Sequence, residues 1–293
     1  MDSSGWAAGA SITYILSSVS PLPACLFILV SVEAGVAAEG AAAASAEVPT
    51  PPAAAPAAPR PAAPADALGR IDALHKKRDD RAALAEERQL VDAAVARAGN
   101  DYETLWRAAR LYFWLSDDPS QNNETRSRLG KMGWDLAERA ITINPKHAAG
   151  YYWAAVNMGN YAVGLGVVKA LTQGMEGKFT SRLGKAGELD PRYQHGGVDV
   201  AWGRFYEKLP WPKRDRKKAE QHLRKVLTQL NPHHLRARVF LADTLAHDNR
   251  AAEAKRLLEE VAAAPVGRYD APEERRAKAL GAALLPDVLK QMN

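Results

Sequence analysis

From about residue 68 onward, small or apolar side chains recur at i, i+4 and i+7, the spacing that lines one face of an α-helix. Gly133, Ala137 and Ala140 form one such series, and Phe179, Leu183 and Ala186 form a second. Ala219, Leu223 and Val226 form a third, and Ala254, Leu258 and Val261 a fourth. Each series runs into a helix stop: Asn144 with Pro145, Asp190 with Pro191, Asn231 with Pro232, and Ala264 with Pro265. Proline lacks the N–H that a continuing helix needs and turns the residue before it away from helical geometry. An earlier series, ending Val91, Val95 and Ala98, runs into the polar stop at residues 99–101 and reads as a partial unit.

A second set of helices fills the space between the stops, over residues 102–115, 148–161, 198–206 and 235–247, and these are the aromatic-rich ones. The stops lie roughly 33 to 46 residues apart, at or above the ~34-residue period of tetratricopeptide helix pairs, so the longer gaps imply inserted loops. Small residues at repeated positions let paired helices approach closely, and stacking buries a core that no single pair can bury. The pattern predicts an all-α fold, an α-solenoid of tetratricopeptide-like helix pairs over residues 68–293, closed by a capping helix over residues 271–292. No strand pattern of any length is present.

The pattern changes before residue 68. Residues 40–65 are almost entirely Ala and Pro, with Glu47 and Arg60 the charged exceptions. Such a tract has too little apolar bulk to offset the entropy of ordering its backbone, and residues 39–67 therefore read as a disordered linker with polyproline character. Residues 3–32 carry no charge and hold the apolar runs 12–16 and 26–32, which read, within residues 1–38, as a signal peptide or membrane anchor. The segment departs from a standard secretory leader in having no Lys or Arg before Arg60.

Two processing routes are open. Cys25, the only cysteine, follows Leu22, Pro23 and Ala24 in the manner of a bacterial lipobox, which would make it a lipidation site. Val36, Ala37 and Ala38 before Glu39 fit ordinary signal-peptidase cleavage. Either route leads to the bacterial cell envelope, with export to the periplasm or anchorage to a membrane through the N-terminus. The repeat region has no cysteine, so disulfides and thiolate-bound metals are excluded there.

Several local runs carry a family resemblance: Tyr-Tyr-Trp-Ala-Ala at 151–155, His-Gly-Gly at 195–197, Trp-Gly-Arg-Phe-Tyr at 202–206 and Leu-Pro-Trp-Pro at 209–212. In order and spacing they resemble the T-component family of TRAP transporters, a tetratricopeptide-like group of bacterial envelopes, with a more distant similarity to the regulator of microtubule dynamics proteins. The resemblance covers the chain from about residue 68 onward. It implies a helical periplasmic protein able to form homo-oligomers, with a solute-binding protein as partner and a small apolar ligand held in a cleft.

Catalytic chemistry is hard to find. The seven histidines, His75, His147, His195, His222, His233, His234 and His247, form no His-Glu-x-x-His pattern and have no carboxylate pair beside them, so no metal site is expected. His233 and His234 follow Pro232 at a helix start, where solvent-facing polar residues are ordinary. Gly164 and Gly166 lack the third glycine and the preceding strand of a nucleotide loop, and no Walker sequence or Gly-x-Ser-x-Gly elbow is present. The expectation is a protein that is not an enzyme and uses no cofactor.

Three constellations suit binding. Six of the seven Trp lie between Tyr102 and Trp211, mostly on the first helices of the pairs, which line the concave face of such solenoids. Tyr151 and Tyr152 with Asn157 and Tyr161 make the sharpest candidate, because the latter two are four apart on one helical face and join an amide to aromatic rings. Buried helix packing is the competing account of the same residues. His195, Gly196 and Gly197 precede a helix whose free N–H groups can receive an anion, and the competing account is a tight turn. Arg204, the cation of the 202–206 run, completes the candidate ligand- or partner-binding set.

The third constellation is charge. Residues 68–293 hold 38 Lys and Arg against 29 Asp and Glu, with the excess gathered at residues 213–218 and at Arg224, Lys225, Arg236 and Arg238. Such a surface attracts anionic lipid, an acidic partner or nucleic acid. Interspersed Glu220, Glu253 and Glu259 suggest an ordinary solvated face, and an export signal argues against nucleic acid. Two functions from different classes follow: an envelope protein that binds a solute-binding protein or a small apolar ligand, and a general assembly scaffold of the envelope without a ligand cleft.

Overall fold

A computed structural model describes residues 65–97 and 100–292, all without a β-strand. The N-terminal segment with Cys25, and the expected linker up to Pro64, lie outside the described residues. The first helix, α1 (Ala65–His75), begins three residues inside the stretch expected as linker. Pro64 is the last proline of the tract, and beyond it Ala and Leu are free to propagate a helix with Asp66 in its first turn.

α2 (Arg81–Arg97) completes a full helix pair where only a partial unit was expected. Then follow α3 (Tyr102–Ser116) with α4 (Asn123–Ile143), and α5 (Ala148–Leu165) with α7 (Met175–Leu189). The short α6 (Val167–Thr172) lies in the connection between α5 and α7. α8 (Tyr193–Lys208) pairs with α9 (Arg216–Lys225), which runs into a five-residue π-helical turn, Val226–Leu230. α10 (Leu235–His247) pairs with α11 (Ala251–Ala263), and α12 (Ala271–Lys290) is the cap.

Local chemistry sets these boundaries. Asp101, Asn122, Asp215 and Asp270 each turn a side-chain oxygen back onto a free N–H of the first turn, as in the 2.8 Å bond from Thr125 N to Asn122 Oδ1. Pro272 sits in the first turn of α12, where its missing N–H costs nothing. The twelve small or apolar positions read from the second helices are all buried, which makes them the inner face of α4, α7, α9 with its π turn, and α11.

α4 and α5 approach each other closely. A Cβ added to Gly130 would lie 2.6 Å from Tyr161 N and 2.9 Å from Asn157 O, both backbone atoms that cannot withdraw. At Gly133 the space is taken by the Asn157 side chain, whose Oδ1 would lie 2.2 Å from the added Cβ. Two hydrophobic clusters fill the interior: one runs from Ile71 on α1 to Val198 on α8, the other from Val200 on α8 to Val288 on α12.

The stack closes on itself. Arg78, in the turn after α1, donates Nη2 to Asp270 Oδ2 at 2.7 Å across 192 residues of sequence, and its Nη1 bonds His75 O at 2.9 Å. Asp79 pairs with Arg275. Arg236 of α10 bridges Asp117, after α3, at 2.7 Å and Glu273 of α12. Trp114 is held between two guanidinium groups, with the Arg276 carbon 3.1 Å and the Arg78 carbon 4.4 Å from its ring centroid. Arg276 Nη1 also donates to Trp114 O at 3.0 Å.

Candidate functional site

Closure of the stack leaves a central cavity of about 620 Å³ that is partly open to solvent. Its walls come from the first helices of the pairs, from the turn after α1, and from residues 267–273 leading into α12. The aromatic part of the wall is Trp106, Phe113 and Trp114 of α3, Tyr152 and Trp153 of α5, and Tyr269. Tyr152 is only 8% exposed, meets Trp153 and Tyr193 edge-on at 4.9 and 5.2 Å, and its hydroxyl has no hydrogen-bond partner among the described residues. The indole N–H groups of Trp114 and Trp153 are already used, on Arg78 O at 3.1 Å and Tyr193 Oη at 3.0 Å.

The polar part of the wall is built around paired charges. Asp72 receives both Arg107 and Arg110, at 2.8 Å each, and Arg110 has no other acceptor among the described residues. Burial opposes the charge of Arg110 and lowers its pKa, against the pull of Asp72. His75 and Glu87, buried between α1 and α2, lie 2.8 Å apart. Burial, with Arg110 and Arg78 nearby, drives the His75 pKa well down. Burial pushes the Glu87 carboxyl up to about 7, against the pull of the same two arginines.

His234 caps α10, with Nδ1 3.4 Å from Ala237 N and 3.5 Å from Tyr269 Oη. Burial, then Arg236 and His195, push its pKa down to about 3, so its ring is neutral. Burial works against the charge of Arg236 as well, but Asp117 and Glu273 outweigh it and hold the pKa above the ordinary guanidinium value.

One strained segment faces this space. Gln194 and His195 have φ of 50° and 59°, and Gly196 has φ of 94°. Consecutive non-glycine residues in the left-handed region cost free energy that surrounding packing must hold in place. Gly197 follows because the Tyr152 hydroxyl occupies the space a side chain would need, 2.6 Å from an added Cβ. Gln194, His195 and Gly197 all line the cavity, and the His195 ring meets Tyr269 at 5.3 Å.

The expected binding residues therefore divide. Tyr152, His195 and Gly197 share the cavity, while Gly196 backs onto Leu230 and Val226. Tyr151 is core. Asn157 and Tyr161 do share a helical face, but that face is covered by α4, and this corrects their assignment to a cleft with Tyr152. Asn157 is 0% exposed and donates to Ala109 O at 2.9 Å and Trp153 O at 2.8 Å. Tyr161 packs on Trp134 at 5.9 Å, in a shallow outer groove with Arg128, Lys131 and Met132. Arg204 is also away from the cavity, paired to Asp243 at 2.5 Å and lying over Phe240.

Sequence reasoning missed Arg78, Arg110, His234, Arg236 and Tyr269. His234, expected to face solvent beside the exposed His233, is buried in the cavity wall, where Tyr269 of the segment leading into α12 packs against its ring. No group of three or more His, Cys, Asp or Glu able to hold a metal occurs among the described residues. None of the described helices is long and apolar enough to cross a membrane.

Comparison with known proteins agrees with this architecture. The sequence profile of the regulator of microtubule dynamics protein 1-3 family matches residues 67–195, and a tetratricopeptide repeat profile matches residues 213–284. The fold is similar to the crystal structure of a thermophilic tetratricopeptide repeat protein from Thermus thermophilus, with a TM-score of 0.51 and 21% sequence identity. That likeness covers 75% of this chain and 93% of the other. No curated protein matches the chain. The class is thus an all-α, tetratricopeptide-like solenoid, a fold generally used as a non-enzymatic scaffold for protein interactions.

Proposed function

We propose that this chain is a non-enzymatic binding protein of the bacterial envelope that holds in its central cavity a small ligand with an apolar body and a hydrogen-bond-accepting group. The observation that carries the reading is the cavity: about 620 Å³, within the range of small-molecule sites, with an aromatic wall facing a charged and polar one that includes Asp72, Arg78, Arg110, His234 and Arg236. Ring faces give area for an apolar body, and the unpartnered Tyr152 hydroxyl and the Arg110 guanidinium offer donors to an accepting group on it. A solute-binding protein as the partner that delivers or collects the ligand is supported by the TRAP T-component resemblance of residues 151–155, 195–197, 202–206 and 209–212.

The test is native mass spectrometry of the full chain purified from its own cells without denaturant, followed by extraction and mass analysis of whatever is bound. The expected result is a defined small molecule, retained less by Tyr152→Phe, which keeps the ring and removes only the hydroxyl. A preparation that carries no small molecule yet captures a protein would replace this reading with the ligand-free envelope scaffold.

A further inference from the structure

The two most exposed large apolar side chains among the described residues, Trp211 and Val168, lie with Val163 on one edge of the stack, away from the central cavity. Trp211 is 86% exposed, Val168 65% and Val163 45%. Val163 is in the last turn of α5, Val168 is in α6, and Trp211 is in the turn between α8 and α9. The connections 166–174 and 209–215 are the within-pair turns of successive repeats, which places them side by side. An ion pair between Lys213 and Glu176 in the first turn of α7 ties the two together.

This edge is basic. Lys208, Lys213, Arg214, Arg216, Lys217 and Lys218 flank Trp211, and Lys169 follows Val168. Among the described residues Lys169 and Lys217 are exposed and have no carboxylate partner. The other cations beside Trp211 are partnered within the protein, Lys208 with Asp243, Lys213 with Glu176, Arg216 with Glu207, Lys218 with Asp215 and Arg214 with Leu209 O. The next helix pair is similar. Arg224 and Arg250 share Glu220 and Glu253, and Lys255 pairs with Glu259, so that face is largely neutralised within the protein.

We propose that the edge formed by residues 163–169 and 208–218 docks on an anionic lipid bilayer. Trp211 would enter the headgroup layer, Val168 and Val163 would follow to a shallower depth, and Lys169 and Lys217 would meet lipid phosphates. A solvent-exposed indole is costly in water but well suited to the bilayer interface, where the ring is buried and its N–H stays wet. Lysines beside it add attraction to negatively charged headgroups and none to zwitterionic ones. Charge complementarity between Lys169, Lys217 and anionic headgroups, together with the protruding Trp211 ring, favours a membrane.

The experiment uses the full chain with phosphatidylcholine vesicles, with and without phosphatidylglycerol. Residues 3–32 are uncharged, so membrane affinity arising there does not depend on phosphatidylglycerol. The difference in tryptophan emission between the wild type and Trp211→Phe isolates this one ring among seven. With phosphatidylglycerol present, that difference spectrum is expected to shift to the blue and to be quenched by brominated lipid. Lys169→Ala combined with Lys217→Ala is expected to lower the phosphatidylglycerol-dependent partitioning by about 25-fold, from ~5-fold for each surface lysine. All three substitutions are at exposed positions, and unchanged melting temperatures would establish that the variants are folded. The proposal is overturned by a Trp211 emission that stays red with anionic vesicles bound, or by partitioning indifferent to the two lysines.

Discussion

Asn157→Asp separates a structural amide from a ligand-facing one with almost no change of shape. In the wild type, Asn157 Nδ2 donates across the helix interface to Ala109 O and along its own helix to Trp153 O, at 2.9 and 2.8 Å. A carboxylate has no hydrogen to offer either carbonyl. The change removes two buried bonds, each contributing about 1 kcal/mol, and sets an uncompensated negative charge between two carbonyl oxygens. A loss of about 3 to 5 kcal/mol at neutral pH is expected, which for a domain of this size is a melting temperature lower by roughly 6 to 20 °C. The sign of the pH dependence follows from the same geometry. Burial and the facing carbonyls raise the pKa of the new acid above its unfolded value, so the variant is least impaired in acid and loses stability as pH rises through the folded-state pKa. Differential scanning fluorimetry of wild type and variant from mildly acidic to mildly basic pH reads this directly. A variant that melts like the wild type at basic pH but releases a bound ligand would show that Asn157 faces the ligand and that the packing account is mistaken.

Two other expectations test the helix packing and the buried titratable pair. Gly130→Ala should cost about 1 to 3 kcal/mol by overpacking, because its Cβ would meet the backbone of α5, while Gly177→Ala, with nothing within 4 Å, should be neutral or mildly stabilising. Similar unfolding free energies for the two in a denaturant titration would refute the close approach of α4 and α5. Burial raises the Glu87 pKa from 4.5 to about 7, so its contribution to stability is present in acid and declines as pH rises through about 7. Glu87→Gln, which is always neutral and can still donate to His75 Nδ1, should gain on the wild type between pH ~5 and ~8 by on the order of 2 to 3 kcal/mol. A difference in unfolding free energy that stays constant over that range would show that Glu87 does not titrate there.

The helices were legible in the sequence because their cause is local. The small and apolar positions of the second helices follow from a spacing that one turn of helix imposes, and every one of them is buried. What covers a given face is not local. Asn157 and Tyr161 share a face as their separation requires, yet the spacing says nothing of the neighbour, and the neighbour is α4. Gly130 and Gly133, three apart on α4, carried the missing signal, since glycines on a buried helix face leave room for a large partner side chain and a close backbone. The His195 to Gly197 turn was visible from its glycines. The positive φ values of Gln194 and His195 were not, because nothing in those two residue types requires such a backbone.

The cavity itself was out of reach for a further reason: its walls are brought together by the two ends of the described helical stack. Periodicity identifies repeats but is silent on superhelical curvature, so it cannot say that α12 returns to the turn after α1. The seam that makes this return is ionic, formed by Arg78 with Asp270, Asp79 with Arg275, and Arg236 with Asp117 and Glu273. Desolvation cancels much of the attraction within a buried ion pair, whereas removing one partner strands the other and costs about 3 to 5 kcal/mol. Such a seam adds little net stability but strongly selects one register of closure. That register places Tyr269 and the 267–273 segment opposite Tyr152, Trp153 and the strained Gln194–His195 backbone. The cavity is therefore a property of the closed stack and belongs to no single repeat, which is why, beyond the tryptophans of the concave face, motifs confined to one helix pair located only Tyr152, His195 and Gly197 in its wall.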